Sequence, residues 1–443
     1  MITTSAHIPS PASSPAGQRS QAPSQHRRPQ RVLLQGFASD ERESISDRLR
    51  LAAVEVSAFR SGVDAVVVPN NCPDDQRHQA AANGHPVWEL NQLLAGTPVS
   101  TAQPAWELVD QTHMRILDLT LPITAPSSHT PSASRFHLCC GDTATLTTIH
   151  QVMLAVAMDW PCLLQGPTAA AKTTAVLWSA HLLGRPVLRL NCSGHSDTGE
   201  LIGRFLPQSG SGHWQFHEGA VPQAMRRGQW LLLDEVNLAA ADVIERLNPV
   251  LERPSSLVIS ENDGALIGPG GAVVHTDFRC FGTMNPAAYA GRNRLSPAFL
   301  DRWLAQTSVP DPDSLAYRQL LHFWATGEQP DILLPGVGFF HVPHSSPPFP
   351  CLQAVTDDLS QVAAMHHHLM LSTTDQDLDD HPTITRRLLL ALVQRFAGLC
   401  TNGGDPQRSL RRAIEEVYVR RMPNAAMQEG LRKALRLQGL DLA

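Results

Sequence analysis

Short apolar runs, each closed by a glycine or a polar pair, alternate along this chain with stretches whose apolar residues recur at helical spacing. Arg31-Val32-Leu33-Leu34-Gln35-Gly36-Phe37, Glu55 to Phe59, Ala65-Val66-Val67-Val68 and Pro86 to Glu89 read as strands. Asp40 to Leu51, Pro73 to Asn83 and Asn91 to Ala95 read as helices, with Ser39 placed to cap the first and Gly84 to stop the second. This βαββαβα order marks residues 31–98 as a small α/β unit. Residues 99–135 alternate Pro, Ser and Thr with pieces such as Met114-Arg115-Ile116-Leu117, the composition of a linker carrying one strand. A helix from about Thr143 to Met158 then leads to a buried strand at Cys162-Leu163-Leu164, and a second helix runs from Thr174 to Leu183 and ends at Gly184. Trp230-Leu231-Leu232-Leu233 and Phe278 to Thr283 are further strand-like runs, the first apolar enough to lie inside a sheet covered on both faces. The last third reads as helices, among them Gln407 to Val419 and Asn424 to Leu437, interrupted by a Pro-rich stretch from Pro330 to Pro350.

The chemistry gathers at the ends of these strands. Gly166-Pro167-Thr168-Ala169-Ala170-Ala171-Lys172-Thr173 follows the Cys162 strand and opens the helix that begins at Thr174. Strand, Gly-initiated loop and helix form the setting in which backbone N–H groups and a positive helix end meet phosphates. Lys172 is then placed to reach the β- and γ-phosphates, and the Thr173 hydroxyl to ligate Mg²⁺. The consensus for such a loop has Gly where this chain has Ala171. The Trp230 run delivers Asp234 and Glu235 to the carboxyl edge of a sheet, where ligands of open α/β folds collect. Asp234 suits a Mg²⁺ site and Glu235 the polarising of an attacking water. Asn285 ends the Phe278 strand and is placed to hold that water or the γ-phosphate. Ser296 caps a helix with Pro297 in its first turn, and Arg302 closes it, as an arginine finger supplied to a neighbouring molecule would.

Composition changes this picture in a few respects. Of 35 basic Lys and Arg side chains only Lys172 and Lys433 are lysine, so a chain that otherwise uses Arg keeps a compact point charge in the loop. A net charge of −6 argues against a nucleic-acid-binding surface as a whole. No apolar run reaches the length of a membrane span. The 8 cysteines form no Cys-x-x-Cys pair and several lie in apolar runs, which fits reduced core residues of a cytoplasmic protein; adjacent Cys139-Cys140 could form a metal or redox site, but a plain structural role is the favoured reading. Three consecutive histidines, His366-His367-His368, project about 100° apart on a helix and cannot share one ion. Residues 1–30, rich in Ser, Pro, Gln and Ala, read as a disordered tail; their bias toward Arg resembles a transit peptide, but the prolines break the helix one needs.

The order of these signals resembles the AAA+ ATPases, in particular the dynein-related and MoxR-like branch that includes midasin. The resemblance rests on Leu164-Gln165-Gly166-Pro167-Thr168, Gly199-Glu200-Leu201-Ile202-Gly203-Arg204-Phe205, His217-Glu218-Gly219-Ala220, Trp230 to Ala239, Gly282-Thr283-Met284-Asn285-Pro286 and Leu295-Ser296-Pro297-Ala298-Phe299. It implies Lys172 and Thr173 as the Walker A pair, Asp234 and Glu235 as the Walker B pair, Asn285 as sensor 1 and Arg302 as the arginine finger. Ser256 to Val274 matches the hairpin insert of that family. Thr385-Arg386-Arg387-Leu388 to Leu392 resembles its lid helix, which makes Arg386 the first candidate for sensor 2 and Arg387 the next. Residues 31–98, with Pro86-Val87-Trp88 leading into Asn91-Gln92-Leu93-Leu94, resemble a BRCT domain. The Ser/Thr-Gly of phosphopeptide-reading members is Gln35-Gly36 here, so plain docking is the expected role.

The expected fold is therefore α/β: a P-loop AAA+ parallel-sheet core (136–308) with a helical lid and C-terminal helices (309–443), preceded by a tail (1–30), the BRCT-like domain (31–98) and a linker (99–135). The expected function is ATP hydrolysis with Mg²⁺, in a homo-oligomeric ring, a hexamer, that remodels a protein partner; the resemblance also implies a von Willebrand factor A domain partner. Two alternatives stay open. One is a DNA-associated ATPase recruited through the BRCT-like unit, against which the acidic excess of residues 31–98 argues. The other is an ATP-binding scaffold in which Ala171 slows turnover.

Overall fold

The computed structural model describes residues 103–208, 213–286, 292–334, 337–374, 384–437 and 440, and, in the first hundred residues, four strand segments. The chain divides into two units, Met1–Val99 and Ser100–Ala443. In the first, β1 (Arg31–Leu34), β2 (Glu55–Ser57), β3 (Ala65–Val68) and β4 (Val87–Glu89) form a parallel sheet of order β2-β1-β3-β4. Val32 pairs with Val56 on one side and with Ala65 on the other. The strands fall on the apolar runs. The helices expected at 40–51, 73–83 and 91–95 lie outside the described residues, as does the tail.

The second unit begins earlier than the sequence suggests. Residues expected as linker instead carry β5 (Gln103–Pro104) and a meander of β6 (Trp106–Leu108), β7 (His113–Ile116) and β8 (Leu119–Pro122). Ile116, Leu117 and Leu121 are buried in one cluster with Leu146, Ile149 and Met153 of α1 (Thr143–Ala157). The reason is burial: strands of two to four residues broken by Pro and Thr look like linker until a helix covers their one apolar face. The Asp142 side chain caps α1, accepting from the Thr145 amide at 2.8 Å.

Next come β9 (Cys162–Gln165), α2 (Lys172–Leu182) and β10 (Val187–Asn191), then a hairpin of β11 (Gly203–Pro207) and β12 (Trp214–Glu218). Helix α3 (Ala220–Arg227) leads into β13 (Trp230–Asp234), and β14 (Leu257–Ile259) with β15 (Ala265–Ile267) makes the expected hairpin insert. β16 (Arg279–Met284), α4 (Pro297–Asp301) and β17 (Ala305–Ser308) follow. The five parallel strands stand in the order β10-β13-β16-β9-β17. Leu164, Trp230, Leu232 and Phe281 pack toward α1 and α2, while Leu163, Leu231, Leu233 and Cys280 join a second cluster with α3. The sheet is thus buried on both faces, which is why β13 is apolar throughout. Both ends of the crossover sequence that breaks this pattern, the loop after β9 and the residues ending β13, lie at one carboxyl edge. Gly184 ends α2 at φ +69°, where an added Cβ would lie 1.9 Å from the Thr124 carbonyl oxygen, so only glycine fits.

The remaining helices, α5 (Ser314–Thr326), α6 (Thr356–Thr374), α7 (Arg386–Thr401), α8 (Pro406–Val417) and α9 (Ala425–Leu437), bury Tyr317, Leu321, Phe323, Ala363, Leu389, Phe396 and Ile414 in one further cluster. Between α5 and α6 the Pro-rich interruption is not irregular throughout: β18 (Asp331–Leu334) and β19 (Gly338–His341) pair as a hairpin, and β19 pairs with β5. His366 is fully buried in this cluster, its Nδ1 2.6 Å from the Tyr418 hydroxyl.

Candidate functional site

A cavity of about 590 Å³ opens between the carboxyl edge of the sheet and the helical layer. Its walls include Thr168 to Thr174, Arg189, Asn191, Asp234, Glu235 and Asn285 from the sheet side, and Leu320, Trp324, Arg386, Arg387 and Leu390 from the helices. One end is polar. The other is lined by Phe136, Leu138, Cys139, Cys140 and Trp324. A volume of this size, apolar at one end with converging polar groups at the other, suits a ligand with a flat apolar body and a charged tail.

The loop begins at Gly166, whose amide donates to Met284 O at 3.2 Å. A Cβ there would lie 2.4 Å from the Val309 carbonyl oxygen, so the close passage of loop against chain requires glycine. Ala169 (φ 65°) and Ala171 (φ 64°) both adopt the left-handed conformation. At Ala171, a sequence rule asks for glycine for this conformational reason, and here alanine itself adopts the left-handed conformation. Lys172 is buried, and its Nζ donates to Gly166 O at 2.8 Å, Pro167 O at 2.7 Å and Asn285 Oδ1 at 2.8 Å. Gly166 and Pro167 are therefore tied to the site through Lys172 rather than by lining the cavity. Burial pulls the Lys172 ammonium down to about 8, against the pull of the Glu235 and Asp234 carboxylates.

Thr173 Oγ1 donates to Asp234 Oδ1 at 2.7 Å, so the two groups assigned to a cation stand side by side. Asp234 also accepts from Thr283 Oγ1 and from Arg189, whose Nε is 3.1 Å from Oδ2. Burial alone would raise the Asp234 carboxyl, but the hydrogen bonds from Thr283, Thr173 and Arg189 and the Arg189 charge hold it below its ordinary value. An ionised carboxylate beside a hydroxyl is a hard-oxygen donor set, which fits Mg²⁺. Glu235 follows at φ 58°, its amide donating to Thr283 Oγ1 at 3.1 Å. Its Oε1 accepts from Asn285 Nδ2 at 3.2 Å, and its Oε2 from Arg292. Asn285 also donates to Thr168 Oγ1 at 3.3 Å, linking loop, acidic strand and sensor strand.

The two remaining candidates stand differently. Arg386 lines the cavity, but its Nη2 donates to the buried Asp142 carboxylate at 2.7 Å, so one face of it is already engaged. Arg387 is exposed on the same wall. Arg302 is not among the residues lining the cavity of its own chain; its Nε donates to Glu252 Oε1 at 2.9 Å. Cys139 and Cys140 sit at the apolar end, where burial pushes the Cys139 thiol up to about 11 and Cys140 further, so they serve as apolar wall and not as nucleophiles. Among the described residues no cluster of three His, Cys, Asp or Glu side chains could hold a metal.

Sequence reasoning missed Arg189, Thr283, Arg292 and the pair of backbone clamps at the apolar end. There Trp324 Nε1 donates to Leu138 O at 2.9 Å, while Gln329 accepts from the Gly141 amide at 2.8 Å and donates to Cys139 O at 3.2 Å. Arg189 had a legible signal, a charge inside the otherwise apolar run Val187-Leu188-Arg189-Leu190. The others had none, because their partners are more than a hundred residues away or on elements whose order in the sheet was not known.

A parallel five-stranded sheet, a loop with Lys172 at its exit and an acidic pair on the second strand over make an α/β fold consistent with a P-loop core of AAA+ type. Residues 161–303 match the family model of the AAA domain (dynein-related subfamily). Midasin of Dictyostelium discoideum is 37% identical over 162 residues, which are 36% of this chain and 3% of midasin. Midasin of Giardia intestinalis is 33% identical over 160 residues, with the same shares. Protein NorQ of Paracoccus denitrificans is 31% identical over 159 residues, 36% of this chain and 56% of NorQ. The chain thus spans a small fraction of the length of the midasins and about half that of NorQ.

Proposed function

We propose that this chain is an AAA+ ATPase that binds Mg²⁺-ATP in the cavity between sheet and lid and hydrolyses it. The convergence of Lys172, Thr173, Asp234, Glu235 and Asn285 at one end of that cavity carries the reading. Lys172 would exchange its carbonyl partners for phosphate oxygens, and Thr173 and Asp234 would hold Mg²⁺. The ion supplies charge neutralisation of the phosphates. Glu235 would polarise the attacking water and Asn285 would position it. The base would lie against Phe136, Leu138 and Trp324. Arg387, rather than Arg386, is the lid cation proposed for the γ-phosphate, because Asp142 already holds Arg386.

Similarity to midasins and to NorQ supports a chaperone-type ATPase that remodels a protein partner from a cytoplasmic homo-oligomeric ring, a hexamer, with Arg302 reaching the neighbour's site. A von Willebrand factor A domain protein is the proposed partner, with the parallel sheet of residues 31–98 as a BRCT-like docking unit. The reading is tested by steady-state ATP hydrolysis of the full chain. Glu235→Gln is expected to keep nucleotide binding and to lose at least about a hundredfold in turnover. Lys172→Ala is expected to lose binding. Undiminished hydrolysis in Glu235→Gln would sink the assignment. Nucleotide bound but not hydrolysed by the unaltered chain would favour the scaffold reading.

A further inference from the structure

The carboxylate assigned to water activation has both of its oxygens occupied. Asn285 Nδ2 donates to Glu235 Oε1 at 3.2 Å, and Arg292 Nη1 donates to Oε2. The Arg292 side chain is 13% exposed against 33% for Glu235, so the cation is the more buried partner of the pair. The contact is made through one guanidinium nitrogen, and the Arg292 Nε is a buried donor without a partner among the described residues. A two-pronged fork would satisfy more donors and lock the pair; a single-point contact leaves the guanidinium able to turn away.

The backbone around this contact is tied independently of it. The Asn293 amide donates to Asn237 O at 2.8 Å, and Asn293 Nδ2 donates to Ala239 O at 2.9 Å. Asn237 Nδ2 in turn donates to Asn285 O at 2.9 Å. The stretches carrying Glu235, Asn285 and Arg292 are therefore held in register by hydrogen bonds from amide groups, none of which involves the Arg292 side chain.

We infer that Arg292 is a positioning residue that holds Glu235 off the attacking water in the resting protein and so keeps basal hydrolysis low; this rests on the ATPase reading of the cavity. A carboxylate oxygen that already accepts from a guanidinium is a poor acceptor for a water proton, and the neighbouring oxygen is shared with Asn285. The expected signature of such a restraint is a change in the rate of the bound complex and not in affinity.

The test is single-turnover hydrolysis of Mg²⁺-ATP by the full chain at saturating protein, with affinity measured separately by a fluorescent ATP analogue. Arg292→Ala is expected to hydrolyse bound ATP at least about threefold faster than the unaltered chain, with Kd within about twofold. Arg292→Lys, which can restore the contact, is expected to stay near the unaltered rate. Arg292→Gln fills similar space without charge and should accelerate as Ala does, so it carries the test where Ala impairs folding. Adding Glu235→Gln to Arg292→Ala is expected to abolish the acceleration. An equal or lower rate in folded Arg292→Ala and Arg292→Gln, with the unaltered chain active, overturns the inference alone. An unaltered chain that binds no ATP overturns the ATPase reading and the inference with it.

Discussion

At the residue scale, the site is built from groups held away from their solution states. Ala171 sits in left-handed backbone at φ 64°, where a side chain costs about 1–2 kcal/mol and glycine costs little. Glycine would also gain unfolded-state entropy worth about 0.4–1 kcal/mol, which offsets part of that relief. Ala171→Gly is therefore expected to raise stability by about 0.5–1 kcal/mol in denaturant unfolding, with ATP affinity equal or tighter. Loss of stability would show that the alanine methyl is packed to better effect than its backbone is strained. Lys172 gives a pH prediction. Its ammonium titrates at about 8 when folded and at 10.5 ordinarily, so between those values the folded chain binds fewer protons and this group's contribution to stability rises with pH. Phosphate binding needs the charged form and runs the opposite way. ATP affinity is expected to fall by about tenfold from pH 7 to pH 9, and a flat profile would mean that phosphate binding does not depend on this charge.

At the element scale, the joint between α1 and α7 carries an unusual load. Asp142 is fully buried, caps α1 and pairs with Arg386, the first residue of α7. Loss of a helix cap alone costs about 1 kcal/mol. Stranding a buried guanidinium costs more, about 3–5 kcal/mol. Asp142→Ala is thus expected to destabilise by at least about 3 kcal/mol in urea unfolding; a loss near 1 would show that Arg386 finds water instead. Arg387→Ala touches neither interaction and is expected to leave stability within about 0.5 kcal/mol while slowing ATP turnover. The same joint corrects the sequence-based reading of residues 99–135. Strands β6 to β8 are short and interrupted, and only the face of α1 makes them core.

At the scale of the whole molecule, the role proposed for Arg302 can be tested by asking how many chains a working site needs. It is engaged by Glu252 and does not line its own chain's cavity, which suits delivery to a neighbour. Arg302→Ala and Lys172→Ala are each expected to be inactive alone. Mixed in equal amounts they should recover activity, because about a quarter of randomly formed interfaces would pair an intact loop with an intact finger. No recovery on mixing would argue that each chain completes its own site.

The sequence by itself determined the local chemistry. Loop, acidic pair, Asn285 and the capped helix ending in Arg302 are contiguous strings whose residue types follow from strand burial and helix starts, and β1 to β4, β9, β13 and β16 lie on the apolar runs. Tertiary structure alone decided what faces those groups. Arg189 meets Asp234 because β10 lies next to β13, and Arg292 meets Glu235 across 57 positions of chain. Arg386 is drawn to Asp142 across 244 positions, leaving Arg387 on the open wall. Periodicity records which residues are buried, since burial acts on each side chain where it stands. Pairing between distant charges depends on strand order and helix packing, which no local pattern encodes.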